Sequence, residues 1–296
     1  MAGISGSQAF GSGFRLLGRE PLAVLAWTLA YFILGVMPQL GMYAAVLPDL
    51  LQIMGGAKDG SDPTMADMMA LNAKMPMLQL VSMLASLVSS SVLLGAVYRA
   101  VLEPENRRFL YLRLGVQELW IGLSLVVIYV LMVLALLVAA IPVAIVAFIA
   151  RSAGGGMALV LVGLLVLALF GWLAIRLSLA TPMAFTRRTF VVFESWGRTQ
   201  GHALKIFLVY LALFALIAAV ELALALSVRG VLKSAVASGA MEGFFADPMA
   251  ALADAWPMVA AIVAAGSALG VIIMVLLAAP LADIHRQLPA EDQPVV

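Results

Sequence analysis

Six runs of almost purely aliphatic sequence, at about residues 22–47, 77–101, 119–150, 157–183, 204–228 and 258–282, occupy most of this 296-residue chain. Each exceeds the roughly 20 apolar residues that carry an α-helix across a bilayer. In hydrocarbon a segment has to satisfy its own backbone donors and acceptors, which a helix does by itself. A membrane barrel would instead show short alternating strands. The expected fold class is therefore an all-α integral membrane protein with six transmembrane helices. With 64% hydrophobic and 11% charged residues the chain is unlike a soluble domain. Six spans and their connections leave no room for a separate catalytic module, so residues 1–296 read as a single polytopic membrane domain. The absence of cysteine excludes disulfides, thiolate metal ligands and cysteine nucleophiles. The first run is longer than a signal-peptide core and has no convincing cleavage site after it, so it reads as a retained helix.

Lys and Arg divide unevenly between the two ends of these helices. One side holds Arg15, Arg19, Arg99, Arg107, Arg108, Arg113, Arg176, Arg187, Arg188, Arg198, Lys205 and Arg286, which is 12, and the other holds Lys58, Lys74, Arg151, Arg229 and Lys233, which is 5. Positive charge is retained on the cytoplasmic side. Both termini are therefore expected in the cytoplasm.

Ahead of each odd-numbered span lies a stretch in which arginine is closely followed by glycine. These are residues 7–19 with Phe10, Phe14 and Leu17, residues 105–118 with Phe109, Leu112 and Val116, and residues 187–200 with Phe190, Phe193 and Trp196. Spacings of three and four put the apolar residues on one stripe and most arginines off it. That pattern predicts three amphipathic interfacial helices and suggests three repeated units, each an interfacial helix plus a hairpin. Anionic headgroups at the cytoplasmic face would attract the arginines. The external segment from Pro48 to Met75 reads as a short amphipathic helix, and Gly154-Gly155-Gly156 reads as a turn.

The run Arg176-Leu-Ser-Leu-Ala-Thr-Pro182, the aromatic segment Phe190 to Trp196, and Gly197-Arg198-Thr199-Gln200-Gly201 ahead of an apolar helix form one further pattern. It resembles the signature of bacterial polytopic inner-membrane proteins related to the glycerophosphoryl diester phosphodiesterase membrane domain. The matching positions are Arg176, Pro182, Trp196 and Gly201. The chain departs from that pattern after the proline, where Thr186-Arg187-Arg188 stands in place of an acidic residue. The resemblance implies a membrane-embedded helix bundle in a bacterial inner (plasma) membrane. It does not imply the phosphodiesterase activity, which belongs to a separate soluble barrel that this chain lacks.

No catalytic residues are assigned. The two histidines, His202 and His285, sit at helix ends without a ligand-spaced partner, so neither a metal nor a cofactor is expected. Arginines confined to helix ends give no nucleic-acid surface. Two intramembrane polar candidates stand out, Glu221 and Arg176. Glu221 lies about 18 residues into the fifth span, roughly 27 Å from its start at 1.5 Å per residue. That depth predicts an interfacial carboxylate near Arg151 or Arg229, against the alternative of an inward-facing proton or substrate site. Gly266 and Gly270 in the sixth span, and Ser82 and Ser86 in the second, are small enough for close helix packing or homo-oligomer contacts. Pro38, Pro142 and Pro280 are expected to kink their helices. The favoured reading is a non-enzymatic membrane protein acting through lipid contacts or through assembly with membrane partners. The alternative is a transporter or lipid-handling permease with a path through the bundle.

Overall fold

The computed structural model describes residues 4–58, 65–153, 156–237 and 248–288, and within them every regular element is a helix. Six helical segments are long and apolar enough to cross a membrane: Pro21–Leu50, Met68–Leu102, Arg108–Ile149, Gly156–Arg187, Ala203–Gly230 and Asp254–Gln287. Each overlaps one of the runs in the sequence. The turn expected at Gly154-Gly155-Gly156 falls largely at 154–155, outside the described residues.

Chain order is as follows. Helix α1 (Gly6–Arg19) is capped at its start by the Ser5 hydroxyl, which accepts from the Gln8 amide at 3.4 Å. The first span combines α2 (Pro21–Tyr31), a wide π turn (Phe32–Val36) and α3 (Met37–Lys58). Pro38 explains the π turn. Proline has no N–H to donate, and its ring crowds the carbonyl four residues back. The turn widens just before it, and the Met37 amide reaches back to the Phe32 carbonyl. Helix α3 then runs through Pro48 to Lys58, and α4 (Met65–Leu102) follows, so no separate short helix spans 48–75. Instead Lys74 pairs with Asp49 at 2.6 Å between the two extended helices. The remaining elements are α5 (Val116–Ala153), α6 (Gly156–Leu177), α7 (Ala180–Arg187), α8 (Glu194–Arg198), α9 (Ala203–Ala237) and α10 (Pro248–Gln287). Pro142 and Pro280 lie within unbroken α5 and α10.

The arginine-rich helix ends converge. Ser5 is tied to Gln287, Arg19 to Ala100, Arg107 to Glu20, Gln117 to Phe185 and Thr186 to His285. The core is concentrated there too, around Trp27, Tyr98, Tyr111 and Phe185. Away from that end the helices are loosely held: the most apolar stretch of the third span is 6% buried and that of the fourth is 0%. Such surfaces need hydrocarbon around them.

The interfacial stretches do not share one structure. Residues 7–19 form α1, but its buried face is Ala9, Ser12, Gly13 and Leu16, whereas Phe14 stays exposed. This small-residue face lets α1 press onto α10 so closely that a Cβ at Gly13 would lie 2.9 Å from the Leu276 Cα. Residues 105–118 are not an amphipathic helix. A 3-10 turn at Arg108–Tyr111 carries positive φ at Phe109, Leu110 and Tyr111, and α5 starts at Val116. Residues 187–200 hold only the five-residue α8, after a left-handed Arg188. The stretches expected to head three equal units therefore differ in conformation, and the threefold repeat loses its main support.

Candidate functional site

Two arrangements compete for attention, a buried polar network at the arginine-rich end and an apolar cavity above it. The network centres on Arg99, in the last turn of α4, and Glu118, in the first turn of α5. Each sign sits at the helix end whose dipole favours it. Their side chains are 2% and 5% exposed and form an ion pair. Arg99 also donates to the Tyr111 carbonyl at 2.8 Å and to the Gln117 side chain at 3.3 Å, and its guanidinium lies over the Phe185 ring at 5.6 Å. Gly95 makes room for the carboxylate, since a Cβ there would stand 2.5 Å from the Glu118 Oε1. Nearby, buried Glu20 meets Arg107 at 2.8 Å and Arg19 at 3.8 Å, and accepts from the Tyr111 hydroxyl at 3.4 Å. Buried ion pairs gain little net stability, because desolvation offsets the attraction, but they fix geometry once formed. This network holds helix ends in register.

Arg176 sits in an aromatic cage. Its guanidinium is 5.8 Å from the ring centres of both Trp172 and Trp196, which meet edge to face at 4.8 Å. It donates to the Thr199 hydroxyl at 3.4 Å, while its own carbonyl accepts from Ser195 at 2.8 Å. Arginine over an indole face is a favourable cation–π pair. Gly201, at φ +75°, makes the left-handed turn that leads into α9, and Pro182 occupies the first turn of α7, where its missing N–H costs nothing. The pattern from Arg176 to Gly201 is thus one clamp joining α6, α8 and the start of α9. Beside it Arg187 pairs with Glu194, and burial together with the charge of Arg187 lowers the Arg198 guanidinium below its ordinary pKa, with Glu194 opposing.

The cavity, about 450 Å³, lies between α4, α5, α6, α9 and α10, within the range of about 300–1,000 Å³ usual for ligand pockets. It fills a gap where α5 and α6 do not pack substantially against α10. Leu125, Ile128, Met132, Ile273, Met274 and Leu281 form much of its wall. Its polar atoms are already engaged. The Tyr98 hydroxyl lies 2.6 Å from that of Thr181, Tyr210 donates to the Leu277 carbonyl at 2.5 Å, and Ser178 donates to the Ile175 carbonyl at 2.7 Å. With each of these hydroxyls already bonded within the protein and the rest of the wall aliphatic, the cavity offers a guest chiefly dispersion contacts and exclusion of water.

Of the residues singled out in the sequence, Gly270 lines the cavity together with Leu177, Ser178 and Thr181 of the run from Arg176 to Pro182, and Gly270 also packs against the Tyr31 ring. A Cβ at Gly266 would meet nothing within 4 Å, so no helix approaches closely there among the described residues. Ser82 is half-buried and Ser86 exposed. The serines that do mediate helix approach are Ser89 and Ser91, facing Gly35 and Gly122. Glu221 is exposed on α9 and has no ion-pair partner among the described residues; Arg229, two turns on, is exposed as well. Arg176 does not line the cavity. Sequence alone does not reveal that Glu20, Arg99, Glu118 and Asp283 are buried, although each is a charge at the edge of an apolar run or just inside it. No group of three potential metal ligands occurs among the described residues.

Compared with known proteins, the chain matches no family model, no curated sequence and no solved structure.

Proposed function

We propose that the chain is a non-enzymatic multi-pass protein of a bacterial inner membrane that acts by holding lipid, with a hydrocarbon tail taken into the cavity between α4, α5, α6, α9 and α10. The observation that carries this reading is the chemistry of the cavity wall. It is apolar, its hydroxyls are bonded within the protein, and it is bordered by the least buried spans of the bundle. A hydrophilic solute would need more polar partners than the few already engaged hydroxyls of this wall. The inward-facing proton site considered for Glu221 has no support in its exposed position. The Arg176 clamp is compatible with the resemblance to the phosphodiesterase-associated membrane domain, and we keep that kinship as part of the proposal.

The test is lipid retention. The protein extracted in mild detergent should carry bound lipid that survives into native mass spectrometry. The double substitution Ala174→Phe/Met132→Trp, which fills the cavity from α5 and α6, should lower the retained lipid several-fold while leaving the folded monomer intact. Equal retention by parent and variant would remove the cavity from the explanation.

A further inference from the structure

A second pocket, of about 200 Å³, opens at the arginine-rich end between α1, the end of α4 and the end of α10. Arg15, Arg19 and Arg286 line it, with Ser12 and Asp283. We infer that this pocket binds a phosphate group, as carried by a phospholipid headgroup or by a free phosphate compound. The inference deepens the lipid-holding reading by assigning a headgroup site separate from the tail cavity.

Three features build the site. The first is the charge balance: three guanidinium groups face one carboxylate. That carboxylate, Asp283, is fully buried at the floor and already engaged by Arg286 and by Gln287 at 2.8 Å. The second is that the arginines are held in place. Arg15 donates to the Gln8 carbonyl at 2.7 Å, Arg19 to the Ala100 carbonyl at 3.1 Å, and Arg286 to the Val101 carbonyl at 3.4 Å. Each guanidinium has five N–H donors in a planar fork, so one such bond fixes the group and leaves donors for a ligand. The third is convergence. The arginines come from α1 and α10, which pack together through Gly13 and Leu276. A tetrahedral oxyanion presents oxygens in several directions, which suits forks arriving from two helices. Charge-assisted bonds of this kind are about twice as strong as neutral ones.

Next to the pocket, Glu20 pairs closely with Arg107 at 2.8 Å and more distantly with Arg19 at 3.8 Å, so it draws on one of the three lining arginines and leaves Arg15 and Arg286 untouched. Capping the last carbonyls of α4 is a structural task that Arg19 and Arg286 perform in any case. It does not account for Arg15, which bonds only within its own helix.

The test uses the full chain in nanodiscs of phosphatidylcholine alone, or doped with phosphatidic acid or phosphatidylglycerol, with inorganic phosphate added in a parallel series. Native mass spectrometry reads which lipid stays bound. The variant is Arg15→Gln/Arg19→Gln, because Arg286 must stay to neutralise Asp283. A charge-matched control is Arg108→Gln/Lys205→Gln, exposed positions outside the pocket. The expected result is enrichment of the phosphate-bearing anionic lipid on the parent and the control, reduced about tenfold or more in the variant. Displacement of that lipid by millimolar inorganic phosphate would identify a free phosphate compound as an equally good source. Enrichment that survives in the variant, or falls equally in the control, overturns the site. The cavity variant Ala174→Phe/Met132→Trp keeps the readings apart: it should lose total lipid but keep anionic preference, whereas failure of the headgroup site leaves total lipid unchanged.

Discussion

Arg99 is the side chain whose loss the bundle should tolerate least. Substituting it with Met leaves Glu118 buried without a counter-charge, a situation that costs about 3–5 kcal/mol. The double substitution Arg99→Met/Glu118→Leu removes both charges and should recover most of that loss, because the desolvation of the pair disappears with it. Unfolding in mixed micelles, read by tryptophan fluorescence, measures the single and double variants and gives the coupling directly. If Arg99→Met alone is as stable as the parent, the pair does not hold the helix ends. The charge at position 99 is legible in the sequence, its burial is not. A hydropathy profile scores an arginine at a helix end alike whether it meets a headgroup or a carboxylate 19 residues further on. Glu221 shows the converse. It stood out because its neighbours in sequence are apolar, yet it faces away from the bundle.

Among the elements, the spans were legible because their length and apolarity are demanded by the bilayer, and the short connections were not because tertiary contacts decide them. Spacing at 105–118 fits an amphipathic helix. The chain instead turns with three consecutive positive φ values, because the Leu110 carbonyl is taken by the Trp27 indole at 2.8 Å and the Tyr111 carbonyl by Arg99 at 2.8 Å. Bonds to a buried indole and a buried guanidinium outweigh a helix of about four turns. The Arg176 clamp is legible in part: its residues form a pattern in the sequence, but the cage of Trp172 and Trp196 depends on α8 folding back. Gly201→Ala should cost about 1 kcal/mol from backbone strain alone, since nothing lies within 4 Å of the added Cβ. A thermal shift in detergent larger than a few degrees would point to a contact absent from this account. Gly13→Leu is a harsher test. It places a side chain where the Leu276 backbone lies, so α1 should undock and become sensitive to protease between residues 6 and 19. Persistent protection of α1 in that variant would contradict its packing on α10.

At the scale of the molecule, the bundle is tied at one end and loose along the third and fourth spans. The 12 to 5 partition of Lys and Arg predicts that the tied end faces the cytoplasm. A reporter fused after Val296 should read cytoplasmic, and one inserted at residues 59–61 should read external. Opposite readings at both places would invert the orientation and move the phosphate site to the outer face.

The seat of α1 on α10 also has a consequence in time. Ser5 bonds to Gln287 across 282 residues of sequence, so the ribosome makes the surface that receives α1 long after α1 itself. At about 5–20 residues per second, α1 waits on the order of 15–60 s for it. During that interval its Ala9, Ser12, Gly13 and Leu16 face lacks the α10 surface it packs on, and Phe10 and Leu17, which pack against the core of the finished bundle, are uncovered as well. Until α10 is made, α1 therefore exposes an apolar face that only the finished bundle covers.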